Sequence, residues 1–195
     1  MRKALSISLA VLLVPNLAWA HPGGAAHDAL HGLLHPLTGL DHILAMVSVG
    51  LLAAQRGGRA LWLMPLAFVS MMAVGGVLGI SGVPLPGVET AIGLSVMVLG
   101  ALVLTGLRIP DGLTAGLVGA FAIFHGHAHG AEIPAAASAL PYAVAFITTT
   151  ALLHGIGIAL YVGFTRAFGS HGARLMQAAG GAIALIGVAL VLGLG

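Results

Sequence analysis

Six stretches of this chain, near residues 38–54, 60–80, 88–107, 112–129, 141–164 and 175–194, are almost continuously apolar. A helix needs about 20 apolar residues to cross the hydrocarbon core of a bilayer, and most of these stretches meet that length. Only helices and closed barrels can satisfy their backbone groups in lipid, and runs this long and continuous predict helices. The connections between them are short and carry the expected breakers, among them Arg56-Gly57-Gly58-Arg59 and Arg108-Ile109-Pro110-Asp111. A soluble alternative fails on composition. Hydrophobic residues make up 59% of the chain and charged residues 6%, where a soluble domain carries about a quarter charged, and a water-soluble fold of this length could not hide so much apolar surface. The expected fold class is therefore all-α, a polytopic membrane bundle of six transmembrane helices. The 30 glycines suit membrane helices, where small residues let backbones approach. Three small-residue pairs, Gly75 with Gly79, Gly116 with Ala120, and Ala159 with Gly163, are candidates for tight helix contacts.

Residues 1–20 read as a secretory signal peptide. Arg2 and Lys3 form a positive n-region, residues 4–14 an apolar h-region, and Ala18-Trp19-Ala20 a cleavage site with small residues at both recognition positions. The expected mature domain, residues 21–195, would then begin at His21 outside the cytoplasm. Loop charge gives an independent orientation. With the mature N-terminus outside, the first, third and fifth connections face the cytoplasm, and they hold Arg56, Arg59, Arg108, Arg166 and Arg174, every arginine of the mature chain. Both signals predict a bacterial inner-membrane protein with its mature N- and C-termini in the periplasm. Without Arg2 and Lys3, five arginines face five acidic residues, so no net basic charge is left to attract nucleic acid.

With that topology the polar residues sort to one side. His21, His27, Asp28, His31 and His35 precede the first span, and Asp41 and His42 occupy its outer turn. Glu89 opens the third span on the same side. His125, His127, His129 and Glu132 end the fourth, and His154 sits near the middle of the fifth. Only His171 and Asp111 fall on the cytoplasmic side. Ionisable groups inside a membrane cost about 2.5–3.5 kcal/mol each at a helix centre, so they need a reason. Imidazole is the commonest ligand for first-row transition metals, and carboxylates complete such sites. The chain has no cysteine, which excludes thiolate sites, iron–sulfur clusters and disulfides.

Spacing sharpens the assignment. His125, His129 and Glu132 share a helical face at i, i+4 and i+7. His127 points elsewhere unless the helix unwinds, which Gly126 and Gly130 would permit. His42 and Met46 are also at i, i+4, and the adjoining Asp41 either ligates directly or orients an imidazole from behind. Structural roles compete at single positions: a lone membrane histidine such as His154 can be a helix–helix hydrogen bond, the tail before the first span can be merely solvated, and methionines commonly just pack. Three imidazoles within five residues at a membrane boundary have few such alternatives. The candidate metal set is His21, His35, Asp41, His42, Met46, His125, His127, His129, Glu132 and His154.

The run His35-Pro36-Leu37-Thr38-Gly39-Leu40-Asp41-His42 with Met46 and Gly50, the run Phe124-His125-Gly126-His127-Ala128-His129-Gly130-Ala131-Glu132, and Leu153-His154-Gly155-Ile156-Gly157 together resemble the HupE/UreJ family of nickel permeases. The resemblance implies Ni²⁺ as transported substrate, with Co²⁺ as the alternative, no tightly bound cofactor, no ATPase, and a link to hydrogenase or urease maturation. Consistently, the chain has no GxxxxGK[ST] run. The expected partners are a divalent metal ion and membrane lipid. Rival readings are a permease for zinc or copper, a membrane metal sensor or store, and an intramembrane enzyme. The chain has no HExxH, and Ser95, in Gly93-Leu94-Ser95-Val96-Met97, does not sit in a GxSxG elbow.

Overall fold

The computed structural model describes residues 25–133 and 138–194, and its described residues are all helix and connection. The expected signal peptide, its cleavage site and His21 lie outside the described residues. A short helix α1 (Ala25–Leu34) leads through a 3-10 turn (His35–Leu37) into α2 (Leu40–Arg56), followed by α3 (Ala60–Ile80), α4 (Val88–Thr105), α5 (Asp111–Glu132), α6 (Ala139–Phe168) and α7 (Ser170–Val191). The helices from α2 to α7 coincide with the six expected stretches, displaced by a few residues at their ends.

The helices end where the chain cannot continue them. Gly106, at φ 61°, closes α4 by donating its N–H to the Leu102 carbonyl, and Gly169, at φ 56°, turns α6 directly into α7. Asp41, Glu89 and Asp111 stand in the first turns of α2, α4 and α5, where a negative charge complements the helix dipole.

Length and apolarity alone qualify four helices as membrane spans: α3, α4, α6 and α7. The stretch carrying α2 qualifies only together with α1, and the two are bent by 77° at the break. The 22-residue α5 is long enough but does not reach the same apolarity. These two helices bear the histidine motifs, and for α2 the position explains the composition. α2 packs against α3, α4, α6 and α7, and nine of its 17 residues are buried. A helix surrounded by helices does not have to be apolar on every face to reside in lipid.

Close approach of backbones holds the bundle. In the α3–α5 pair, a Cβ on Gly126 would overlap the Met72 carbonyl oxygen, and one on Gly130 the Gly76 carbonyl. Gly75 and Gly79 meet α5 in the same way. Gly50 and Gly157 join α2 to α6, and Gly100 and Gly187 join α4 to α7. Of the three small-residue pairs expected to make tight contacts, only Gly75 with Gly79 does so. Gly116 and Gly163 face open space, because both stand on exposed outer faces. Gly126 and Gly130 serve packing rather than unwinding, and α5 runs unbroken to Glu132.

Alternation of helix direction puts the histidine-bearing ends of α2 and α5 at one end of the bundle and Arg56, Arg59, Arg108, Arg166 and Arg174 at the other. At that second end the Arg56 guanidinium donates to the Ile109 and Leu107 carbonyls and lies 3.6 Å from the Asp111 carboxylate, tying α2 to the α4–α5 connection. A polar cavity of about 470 Å³ opens beside it, lined by Gln55, Arg56, Arg108 and Asp111 among others.

A histidine-lined candidate metal site

The site is assembled from α2, α5 and the turn before α2. Leading into α2, Gly39 has extended backbone, and a Cβ there would press on Asp41 Oδ1 at 2.6 Å and His42 Nδ1 at 2.9 Å. Glycine thus leaves room for a tight pair: Asp41 Oδ1 accepts the His42 backbone N–H at 2.8 Å and stands 2.9 Å from its ring Nδ1. A carboxylate can only accept, so Nδ1 carries the ring proton and Nε2 keeps its lone pair. Of the two roles open to Asp41, this contact is the orienting one.

On α5, His125, His129 and Glu132 share one face, as their spacing requires. His35, brought in by the turn that ends at Leu37, reaches Glu132 across 97 residues of sequence, with Nε2 at 3.1 Å from Oε2. His129 Nδ1 lies 3.7 Å from the same oxygen. The ligand atoms of His35, His129 and Glu132 all fall within 4.8 Å of one another, and the three could hold a metal ion. They line a cleft of about 230 Å³ together with Asp41, His42 and Glu89.

From this cleft a series of neighbouring rings leads inward. Ring centroids are 4.8 Å apart for His35 and His129, 4.2 Å for His129 and His42, and 4.8 Å for His42 and His125. Phe68 follows, 5.6 Å from His125 and 5.1 Å from His154. His129 also packs against Phe146 at 4.4 Å. Buried polar atoms normally have partners. Yet the buried Nε2 of His42, Nδ1 of His125, and both ring nitrogens of His129 and of His154 have none among the described residues. Each unpaired lone pair is a ligand position of the kind Ni²⁺, Co²⁺, Cu²⁺ and Zn²⁺ accept.

Other expected residues fall elsewhere. His127 points away from the cluster, as its spacing requires, with Nε2 2.7 Å from the Val83 carbonyl. Met46 is fully buried in the apolar core. His171 is exposed in the first turn of α7, at the arginine end. The segment before α2 is not a loose tail over its described part. α1 is docked on α6, where Gly32 meets the Tyr142 carbonyl, Thr149 donates to the Leu33 carbonyl at 2.9 Å, and Asp28 accepts the Ser138 N–H at 2.9 Å. The His31 ring lies tilted beside those of His35 and Tyr142, with centroids 5.4 and 5.6 Å away. Sequence reasoning gives no role at the site to Phe68, Phe146 or Ser95. The aromatics carry no signal that separates them from core residues. Ser95 has one, a polar side chain within an apolar run.

No solved structure matches this chain. The protein named HupE from Rhizobium leguminosarum bv. viciae is 49% identical over 189 residues, covering 97% of each chain. The profile of the family described as HupE / UreJ protein matches residues 9–190. Both matches span the histidine-bearing helices as well as the rest of the bundle, and the chain therefore belongs to the HupE/UreJ family.

Proposed function

We propose that this protein is an inner-membrane permease for uptake of a divalent transition metal, with Ni²⁺ as its principal substrate. The observation that carries the reading is the row of buried, unpartnered imidazole nitrogens running from the outer cleft into the middle of the bundle. Six polar atoms left unsatisfied in an apolar interior cost stability, about 1–3 kcal/mol each. A ligand that passes through offsets that cost when present, whereas a purely structural set of histidines would be hydrogen-bonded.

In this reading α2 and α5 cross the membrane with the other four helices, the signal peptide is removed, and both mature termini are periplasmic. His35, His129 and Glu132 capture the ion at the mouth, where the carboxylate neutralises part of its charge. His42, oriented by Asp41, and His125 take it in turn, and His154 receives it beyond Phe68. Passage requires sites tight enough to displace water yet loose enough to release, and several weak sites at neighbouring-ring spacing fit that requirement. A set of nitrogen and carboxylate ligands without thiolate suits Ni²⁺ and Co²⁺. The choice of nickel, and a connection to hydrogenase or urease maturation, rest on what the resemblance of the histidine motifs to this family implies.

The test is accumulation of radioactive nickel by cells expressing the protein, with Co²⁺, Zn²⁺ and Cu²⁺ as competitors, followed by uptake into liposomes holding the purified protein. Saturable nickel entry, blocked by His129→Ala at unchanged membrane level, is expected. Metal binding in detergent with no entry into liposomes would make the protein a sensor or store instead.

A further inference from the structure

Ser95 lies on α4, two turns from its start, and faces His125 on α5; both residues are fully buried. Their hydrogen-bond partners must therefore come from the protein itself. The Ser95 hydroxyl oxygen is 2.6 Å from the Ile92 carbonyl oxygen and 2.8 Å from His125 Nε2. A hydroxyl has one proton and two lone pairs. Two oxygens as close as 2.6 Å attract only with a proton between them, and the carbonyl has none to give. The Ser95 proton is therefore committed to Ile92, and a lone pair faces His125. Only an N–H on Nε2 makes the 2.8 Å contact attractive.

The geometry points to Ser95 as a positioning residue that fixes His125 as the Nε2–H tautomer, so that Nδ1 is the nitrogen offered to the metal. Nδ1 is the ring atom of His125 that is buried with no hydrogen-bond partner among the described residues. His42 is held in the opposite sense, with Nδ1–H toward Asp41 and Nε2 free. The two rings meet edge to face at 90° and a centroid distance of 4.8 Å. One serine hydroxyl and one carboxylate thus set which nitrogen each of two adjacent imidazoles presents. A ligating histidine commonly donates its second ring N–H to a fixed acceptor, and removing that acceptor typically lowers metal affinity or activity about 10–100-fold. The inference rests on the metal-uptake reading, which gives the free nitrogens their use.

The test combines a tautomer measurement with transport. Protein with ¹⁵N-labelled histidine is purified in detergent, and the His125 signals are identified by their loss in His125→Ala. The expected wild-type signature is a protonated, pyrrole-type Nε2 and an unprotonated, pyridine-type Nδ1. In Ser95→Ala that preference should be lost and nickel uptake at limiting metal should fall about 10–100-fold. Ser95→Thr should restore both, since its hydroxyl can make the same backbone contact. A wild-type proton on Nδ1 overturns the inference. So does a Ser95→Ala protein that loses transport with an unchanged His125 signature, because the serine would then act by packing alone. If the wild type carries no nickel, the uptake reading falls, and the nitrogen signature still decides the role of Ser95.

Discussion

Replacing His129 by leucine should stabilise this protein while abolishing its transport. His129 is 6% exposed, packs against Phe146, and has two buried ring nitrogens without hydrogen-bond partners among the described residues. It also borders an apolar cleft lined by Met72, Val77, Ile80 and Ile147 among others. A leucine fills most of the imidazole volume, so the cavity penalty of a large-to-small change stays small, and the variant buries no orphaned polar atom. Leaving a buried polar group unsatisfied costs about 1–3 kcal/mol. Recovering the cost of one nitrogen, with the second partly offset by imperfect packing, raises stability by about 1–3 kcal/mol. For a chain of this size that corresponds to roughly 2–12 °C in unfolding temperature. The same change removes a ring that touches both His35 and His42, so the series of ligands is cut at its second member. Loss of an orienting partner alone costs about 10–100-fold, and loss of the ligand itself should cost at least the upper end of that range. The assay is thermal unfolding in metal-free detergent beside nickel uptake. Added Ni²⁺ should raise the unfolding temperature of the wild type and leave the variant unmoved. If His129→Leu unfolds earlier than the wild type without metal, the ring nitrogens are satisfied in the resting protein and the reasoning fails.

Four further outcomes follow. Asp41→Asn should lower uptake about 10–100-fold at unchanged membrane level, because an amide can donate as well as accept and no longer fixes the His42 ring proton; unchanged uptake at limiting nickel would remove Asp41 from the path. Gly126→Ala should reduce the amount of folded protein, since the new Cβ meets the Met72 and Gly76 backbones, which cannot yield as a side chain would; this is read from detergent-resistant monodisperse protein, and a normal yield would refute the close α3–α5 approach. Uptake should decline in strongly acidic medium, because an imidazolium has no lone pair for a metal; uptake that climbs steadily with acidity would indicate a dominant proton driving force. A mature N-terminus at His21 should appear in the intact mass, and a cysteine introduced near Gly58 should react only from the cytoplasm; retention of Arg2 and Lys3 or labelling from the periplasm would overturn the orientation.

Helix positions in this molecule follow from continuous apolar runs bounded by glycine, proline and arginine, since local hydropathy and chain breakers act within a few residues. The common face of His125, His129 and Glu132 follows from the helical repeat alone, as does the outward turn of His127. The histidine motifs themselves carry the family. What the amino-acid order does not show is which face meets which. Gly75 and Gly163 look alike in sequence, yet one lies against the α5 backbone and the other in open space, because helix contact depends on the whole arrangement of neighbours and not on the local spacing. The same limit hides the bond from His35 to Glu132 across 97 residues, the docking of α1 on α6, the place of Phe68 between His125 and His154, and the approach of Ser95 to His125. Sequence determined which residues could bind a metal. The non-local packing of α2, α4, α5 and α6 decided which ring nitrogens are left free to do so, since a lone pair is available only where no neighbouring helix supplies it with a proton.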